Sequence, residues 1–288
     1  MKLLNSRAFS FLLIALIYIV AGAAGIISYV YLPFEPWLSL LVADIIATVV
    51  TFIFSVIFNN ASVYDPYWSV APIVIAVALA ATAPKLTAVH ILPLIAVCIW
   101  GTRLTANWAY TFMNMYHQDW RYTMLKQQTK ALYPVVNLLG IHLFPTLVVY
   151  ACILPVVYTF IYAPTLNVGA VIGFVISLGA VTLQGTSDYL MHRFRKAKTG
   201  GFIRTGTWKY SRHPNYLGEI LMWWGIAIAF VSMMPSMWYL AAGALINTLM
   251  FLFVSVPLAD RRNSRREGFA EYKAATRMLL PIYKKQPL

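Results

Sequence analysis

VGAVIGFVISLGAVTLQGTSDYLM (168–191), HRFRKAKTGGFIRTGTWKYSRHPN (192–215) and YLGEILMWWGIAIAFV (216–231) lie end to end, and the contrast between them decides the fold. The outer two are apolar runs. The middle one carries Arg193, Arg195, Lys196, Lys198, Arg204, Lys209 and Arg212 and no acid. Further apolar runs occupy 8–30, 37–58, 67–83, 88–113, 135–162 and 237–256. Most are long enough to cross a hydrocarbon core of about 30 Å at about 1.5 Å per helical residue. The third and seventh are short, so seven crossings are the alternative to eight. With eight, Lys2 and Arg7, then Arg121, Lys126 and Lys130, then the 193–212 cations fall on one side. Arg261, Arg262, Arg265, Arg266, Lys273, Arg277, Lys284 and Lys285 join them there, and Lys85 falls opposite. That agreement predicts an all-α, polytopic bundle with both termini in the cytoplasm.

A chain of 288 residues that is 60% hydrophobic and 11% charged has nearly all of its length in or against a bilayer, which implies one domain, 1–288. Continuous rather than alternating apolar runs favour helices over a β-barrel. Cys98 and Cys152 lie inside predicted spans without metal-ligand spacing and read as small buried residues; no metal is expected. Ala21–Ala24 resembles a signal cleavage site, but the apolar run continues through Val30, which favours a retained helix. The net charge of +13 sits in membrane-flanking loops, which points away from nucleic acid and toward anionic lipid headgroups or an anionic cofactor. No Gly-x-Gly-x-x-Gly turn or P-loop occurs, so a nucleotide would be held by side chains and helix ends.

Ionisable residues within spans need a partner or a function. Asp44, Arg103, Asp188 and Glu219 qualify. Arg103 shares a polar stripe with Trp100, Asn107 and Tyr110, which a structural ion pair would also explain. Asp44 lies toward the outer end of its helix and reads equally as structural. In the turn before the third span, Tyr64, Asp65, Pro66, Tyr67 and Trp68 put an acid among aromatics at the mouth of the bundle. An interfacial belt accounts for Tyr67 and Trp68. A carboxyl there can also act as a proton donor, or orient the hydroxyl of Tyr64 or Tyr67 that does. The following segment from His117 to Tyr122 reads as a capped interfacial helix or as a flap over a cofactor.

From Gly200 to Glu219 the motif is densest. Pro214 suits a first helical turn, which sets free backbone N–H groups beside Arg212 and His213, a seat for an anion. Asn215 and Glu219 share one helical face and suit an amide, a ribose or an amine. The alternative is a helix cap followed by a structural acid. After the last span Asp260 begins a predicted amphipathic helix with Arg261, Arg265, Phe269 and Tyr272 on one stripe, while Asp260, Glu267 and Glu271 gather on another. A membrane-surface helix is the plainer alternative.

At Asp65-Pro66-Tyr67-Trp68, Arg103-Leu104, Asp119-Trp120-Arg121-Tyr122, Ser187-Asp188-Tyr189, Arg195-Lys196, Arg212-His213-Pro214-Asn215-Tyr216-Leu217-Gly218-Glu219 and Tyr272…Leu280-Pro281, the chain resembles the steroid 5-alpha-reductase superfamily, and within it a bacterial branch. The likeness runs from about 65 to 281. Isoprenylcysteine carboxyl methyltransferases share the Arg-His-Pro-x-Tyr-x-Gly core, but Asn215, Glu219 and Asp188 look like the reductases. The resemblance implies NADPH on the cytoplasmic side, held by the segments 193–215 and 260–288. Asp188, Arg195, Lys196, Arg212, His213, Asn215, Tyr216, Arg261, Arg265 and Tyr272 would hold it, with Glu219 near the nicotinamide.

It also implies hydride transfer to an enone in a steroid-like or other lipid substrate. Where steroid reductases use a Glu–Tyr pair as proton donor, Asp65 would be the acid and Trp100 stands where the Tyr is expected, with Tyr64 or Tyr67 as substitutes. Trp68, Trp100, Arg103 and Asn107 would wall the substrate pocket. The setting expected is the bacterial inner membrane rather than the endoplasmic reticulum. An S-adenosylmethionine-dependent membrane methyltransferase and a non-enzymatic lipid-binding or transport bundle are the competing readings.

Overall fold

Eight helices long and apolar enough to cross a membrane make up a computed structural model that describes residues 3–198 and 200–281. They are α1 (Arg7–Tyr31), α2 (Pro36–Ile57), α3 (Ala61–Thr82), α4 (Ala88–Thr111), α5 (Trp120–Tyr162), α6 (Val168–Lys196), α7 (Pro214–Met233) and α8 (Pro235–Asn263). A short α9 (Phe269–Ala275) follows. Lys2, Lys284 and Lys285 lie outside the described residues, as does the end of the 260–288 segment. No strand occurs among the described residues.

Local chemistry explains the helix ends. Ser6 and Asn167 accept the backbone N–H of Phe9 and Ala170 at the starts of α1 and α6. Pro36 and Pro214 occupy the first turns of α2 and α7, where a missing N–H costs nothing. The short third run becomes long enough because a 3₁₀ turn, Ala61–Tyr64, extends it backwards, nucleated by the Asn60 side chain on Ser62 N–H at 2.9 Å. Asp119 caps α5 by accepting the Arg121 N–H, so the segment leading into the fifth run is a capped helix. α5 then turns at Lys130 (φ 45°) and widens to a π-helix over Asn137–Leu143. A second π-helical turn, Phe251–Ser255, lies in α8. Such turns gather at functional sites in helical proteins.

One expectation is corrected. The helix beginning at Asp260 does not run on to Tyr272: α8 ends at Asn263, and α9 starts only after Gly268 at φ 72°. A side chain on Gly268 would meet the Arg204 guanidinium, which donates to the Gly268 carbonyl. Arg261 and Arg265 therefore do not share a stripe with Phe269 and Tyr272.

The tightest packing joins α6 to α7. A Cβ on Gly225 would lie 2.6 Å from the Gly173 carbonyl oxygen, and one on Gly218 would lie 2.7 Å from that of Ala180. This is a small-residue seam, the arrangement that lets helices pack closely in lipid. Trp100, Ile153, Val156, Val157, Met222 and Trp223 fill the core beside it. By contrast α1 leans on α2 and leaves Leu12, Ile19, Ile26 and Val30 outward, as a lipid-facing helix must.

The basic connections gather at one end. Arg7 donates to the Ala109 carbonyl, Asn60 to that of Met115, and Lys126 to the Asn59 side chain. The loop after α6 joins the chain after α9 through Arg212 N–H to the Arg277 carbonyl at 3.0 Å. Lys85 stands in the α3–α4 connection.

Candidate functional site

The glycine seam sets the first feature. Because Gly218 has no side chain, Gln184 of α6 reaches Glu219 of α7 and donates Nε2–H to Oε2 at 2.6 Å. Trp100 Nε1–H donates to the same oxygen at 2.8 Å, and Trp223 Nε1–H to Oε1 at 2.9 Å. Glu219 is buried, and three neutral N–H donors surround it. One helical turn toward the basic end, Asp188 pairs with Arg103 at 2.5 Å. The Arg103 Nε remains buried without a hydrogen-bond partner.

Between α4 and α6, this pair opens into a cleft of about 600 Å³ lined by Arg103, Asn107, Tyr110, Asp188, His192 and Lys196 among others. That is the size of a small-molecule site. His192 Nε2 bonds the Asn107 side chain at 2.7 Å, and its ring lies 4.4 Å from that of Tyr110. Arg195, exposed just below, is within electrostatic reach of Arg262, Arg266 and Asp188. Arg262 lies over the Trp120 ring, 4.6 Å from its centroid, and Arg266 donates to the Gly201 carbonyl, so cations cluster at this end of the bundle. The expected Arg261, in the last turn of α8, and Arg265, in the turn after it, are exposed, and Arg261 accepts a hydrogen bond from Ser264 through its carbonyl.

Arg212 and His213 point elsewhere. Both are buried against Asp260: Arg212 Nη2 to Oδ2 at 3.1 Å and His213 Nε2 to Oδ1 at 2.9 Å. Arg212 also donates to the carbonyls of Lys273 and Thr276. Tyr216 stacks on His213 with centroids 5.3 Å apart. Tyr272 donates its hydroxyl to the Trp208 carbonyl, and burial pushes that phenol up to about 12 against the pull of Arg212, so it remains a donor. These four residues buckle the basic loop to the end of the chain. Asn215, half-buried beside them, has an Oδ1 with no partner.

The proposed acid and its tyrosines separate. Asp65 accepts the Tyr122 hydroxyl at 2.7 Å. Tyr67 donates instead to Asp44 Oδ1 at 2.7 Å, and Tyr64 bonds Thr146 at 2.8 Å. Asp119 next to Tyr122 is held below the usual carboxylate range: burial alone would raise it, and the bonded Arg121, helped by Arg262, reverses that. Trp68 lines a gap of about 10 Å³ beside Asp44, Tyr67 and Thr146, room for about one water. Its ring lies 6.1 Å from that of Trp100, so a tryptophan wall joins this gap to Glu219.

The structure thus brings Arg103, Asn107, Asp188 and Lys196 together around one cleft, with Arg195 just below it and Trp100 and Glu219 behind. Arg103 and Asn107, expected on the substrate wall, share it with residues expected at the cofactor. Gln184, Trp223, Thr146, His142 and His192 escaped the sequence reading, and Tyr122 was read only as part of a capped helix or flap. Amides and hydroxyls are common in spans and carry no charge to flag them. Among the described residues no cluster of three His, Cys, Asp or Glu side chains is placed to hold a metal.

Eight apolar helices around a polar interior that holds buried carboxyls, with a cleft between α4 and α6, define a polytopic membrane protein. The chain belongs to the family described as "Protein of unknown function (DUF1295)", which matches residues 51–276, within a steroid 5-alpha-reductase-like superfamily. Over 113 residues it is 28% identical to the 3-oxo-5-alpha-steroid 4-dehydrogenase 1 of Macaca fascicularis. That match covers 38% of this chain and 40% of the relative. No solved structure matches.

Proposed function

We propose that this protein is a membrane-embedded, NADPH-dependent reductase of a carbon–carbon double bond conjugated to a carbonyl in an apolar, steroid-like lipid. The observation that carries the reading is the α4–α6 cleft. It has the volume for a small molecule, cations with few acids at its basic end, and the buried Glu219 cluster at its inner end. The name of the similar dehydrogenase supports the same direction.

The residues present fit an anionic dinucleotide. Arg195, Lys196, Arg262 and Arg266 would meet its phosphates, and the unpartnered Arg103 Nε and Asn215 Oδ1 offer one donor and one acceptor. A reduced nicotinamide supplies a hydride when bound. Glu219, fixed by three donors, holds Trp100, Trp223 and Gln184 in place, so the inner wall is rigid before a ligand arrives. Two carboxyl–tyrosine pairs, Asp65–Tyr122 and Asp44–Tyr67, are the candidate proton donors. We assign the basic end to the cytoplasm on the positive-inside rule, which fits a bacterial inner membrane.

The test is the melting temperature of the purified protein in detergent with NADPH, NADH, S-adenosylmethionine or no addition. NADPH is expected to raise it most. A rise with S-adenosylmethionine alone points to a methyltransferase and defeats the reading, and no rise with any of them points to a lipid-binding bundle.

A further inference from the structure

The two walls of the cleft lead into connections that are tied to one support. α4 runs to Thr111, and the chain after it leads to Trp120 at the start of α5. α6 runs to Lys196, and the loop after it leads to Gly201. The Arg262 guanidinium covers the Trp120 ring at 4.6 Å, and Arg266 donates to the Gly201 carbonyl. Both arginines belong to the end of α8 and the turn that follows it, and this support is anchored. The Asp260 carboxyl is buried against Arg212 and His213, and the Asp260 carbonyl accepts the Ser264 N–H at 2.8 Å. A return tie runs from Arg204 to the Gly268 carbonyl, with Phe202 packed on Phe269 and Tyr272.

What sets these ties apart is the charge of their partners. A guanidinium is matched best by a carboxylate or a phosphate. Among the described residues neither Arg262 nor Arg266 makes an ion pair. Asp119, within electrostatic reach of Arg262, is paired with Arg121 at 2.8 Å, and Asp188 is paired with Arg103. Arg262 and Arg266 also lie within electrostatic reach of Arg195, next to Lys196 on the rim of the cleft. Like charges so placed repel, and at that range solvent ions screen only part of it. A ring face and a peptide carbonyl are neutral partners. A hydrogen bond to a phosphate oxygen is about twice as strong as one to a neutral acceptor, so a ligand with several phosphates offers both arginines a better match.

We propose that the Trp120 ring and the Gly201 carbonyl are placeholders for phosphate: a polyanionic ligand at the basic end of the cleft draws Arg262 and Arg266 off them and so frees both connections from α8. This rests on the reading of the cleft as a dinucleotide site. The clasp sets a threshold for binding. A ligand that satisfies one arginine leaves the other connection tied, whereas phosphates at separate points on a dinucleotide take both. Undoing the ties lowers affinity, as any conformational cost of binding does. By reciprocity, the ligand loosens the clasp by the same factor by which the clasp weakens the ligand. Trp120 is a positioning residue, since it acts only through Arg262.

Calorimetric titration of the full chain in phosphatidylcholine nanodiscs, with NADPH and with inorganic pyrophosphate, tests this. Trp120→Leu should tighten both ligands about 2–5-fold, the size of an exposed cation–π contact, and Trp120→Phe should fall between it and wild type. Arg262→Gln should weaken both about tenfold. A Trp120 that only supports the fold gives another sign: binding weakened or unchanged in Trp120→Leu overturns the proposal. Fluorine NMR of protein labelled with 5-fluorotryptophan reads the ring itself, the Trp120 resonance being the one missing from Trp120→Phe. It should shift at saturating ligand in wild type and stay in place in Arg262→Gln. A resonance that does not move in wild type, or that moves equally in Arg262→Gln, overturns the clasp. If pyrophosphate binds and NADPH does not, the dinucleotide reading fails, and both readouts with pyrophosphate still decide the clasp. Binding of neither overturns both.

Discussion

Glu219 and Asp44 are both carboxyls buried inside the bundle, and their surroundings are opposite. Glu219 is ringed by three N–H donors, two of them indoles that cannot accept a proton back. Asp44 meets the hydroxyl of Tyr67, which both donates and accepts. The first arrangement fixes a carboxyl in place and orients a wall. The second can pass a proton on. The difference follows from the packing beneath each. Glu219 stands on the α6–α7 glycine seam, where backbones approach closely and side chains have little room to move. Asp44 stands where α2, α3 and α5 meet through Thr and Tyr side chains around a π-helical turn.

The largest break in this comparison comes from the seam. Gly225→Leu drives a side chain into Ser177 and Gly173, and overpacking of this kind costs about 3 kcal/mol or more. Thermal unfolding followed by tryptophan fluorescence should show a large loss of stability. Gly22→Leu, in α1, meets nothing within 4 Å and should melt like wild type. Equal melting of the two variants would mean that the seam does not hold the Glu219 wall.

Next comes the wall itself. Glu219→Leu strands the N–H groups of Trp100, Trp223 and Gln184, at about 1–3 kcal/mol for each buried donor left unpaired. Glu219→Gln keeps acceptors for part of the set, so it should fold but place the cofactor poorly, raising the apparent KM for NADPH with a smaller change in kcat. A Gln variant with unchanged KM and much reduced kcat would move Glu219 from positioning to proton transfer, and erase its contrast with Asp44.

Both carboxyls were within reach of the sequence because an acid in an apolar run is conspicuous. What each does was not, because that depends on partners from distant segments: Trp100 is 119 residues from Glu219, and Thr146 is 82 from Tyr64. The eight crossings were legible from apolar length and the placement of Lys and Arg. The break at Gly268 was not, since helical periodicity carries through it on paper while Arg204, from another loop, occupies the space a side chain would need. The same break separates Arg262, over the Trp120 ring, and Arg266, on the Gly201 carbonyl, from the stripe expected for Arg261 and Arg265.

That yields a prediction of middling size. Arg262→Ala or Arg266→Ala should narrow the preference for NADPH over NADH by about tenfold, the value of one charge-assisted contact to a phosphate. Arg261→Ala and Arg265→Ala should leave it unchanged. Affinities from nucleotide titration decide between the two faces. A preference lost through Arg261 or Arg265 instead would restore the stripe read from periodicity.

The smallest expected effect belongs to Asp65, the residue the sequence made most prominent. It has a tyrosine on its carboxyl, as Asp44 does, but Tyr122 comes from the start of α5 and the pair sits among loop contacts: Asp119 N–H to Ser62, Ala61 N–H to Gln118, Lys126 to Asn59. Its nearby charges are Arg121 and Asp119, at the basic end rather than in the bundle interior. Those contacts hold the α4–α5 connection onto the start of α3. Asp65→Asn keeps an acceptor for the Tyr122 hydroxyl, so the docking should survive with a loss of about 1 kcal/mol, the ordinary net worth of one hydrogen bond. Turnover should fall by no more than a few-fold, with no change in solvent isotope effect, while Asp44→Asn loses most of it. If instead Asp65→Asn abolishes reduction with NADPH binding intact and Asp44→Asn is mild, the proton enters from the mouth of the bundle, and Tyr122 is the hydroxyl that delivers it.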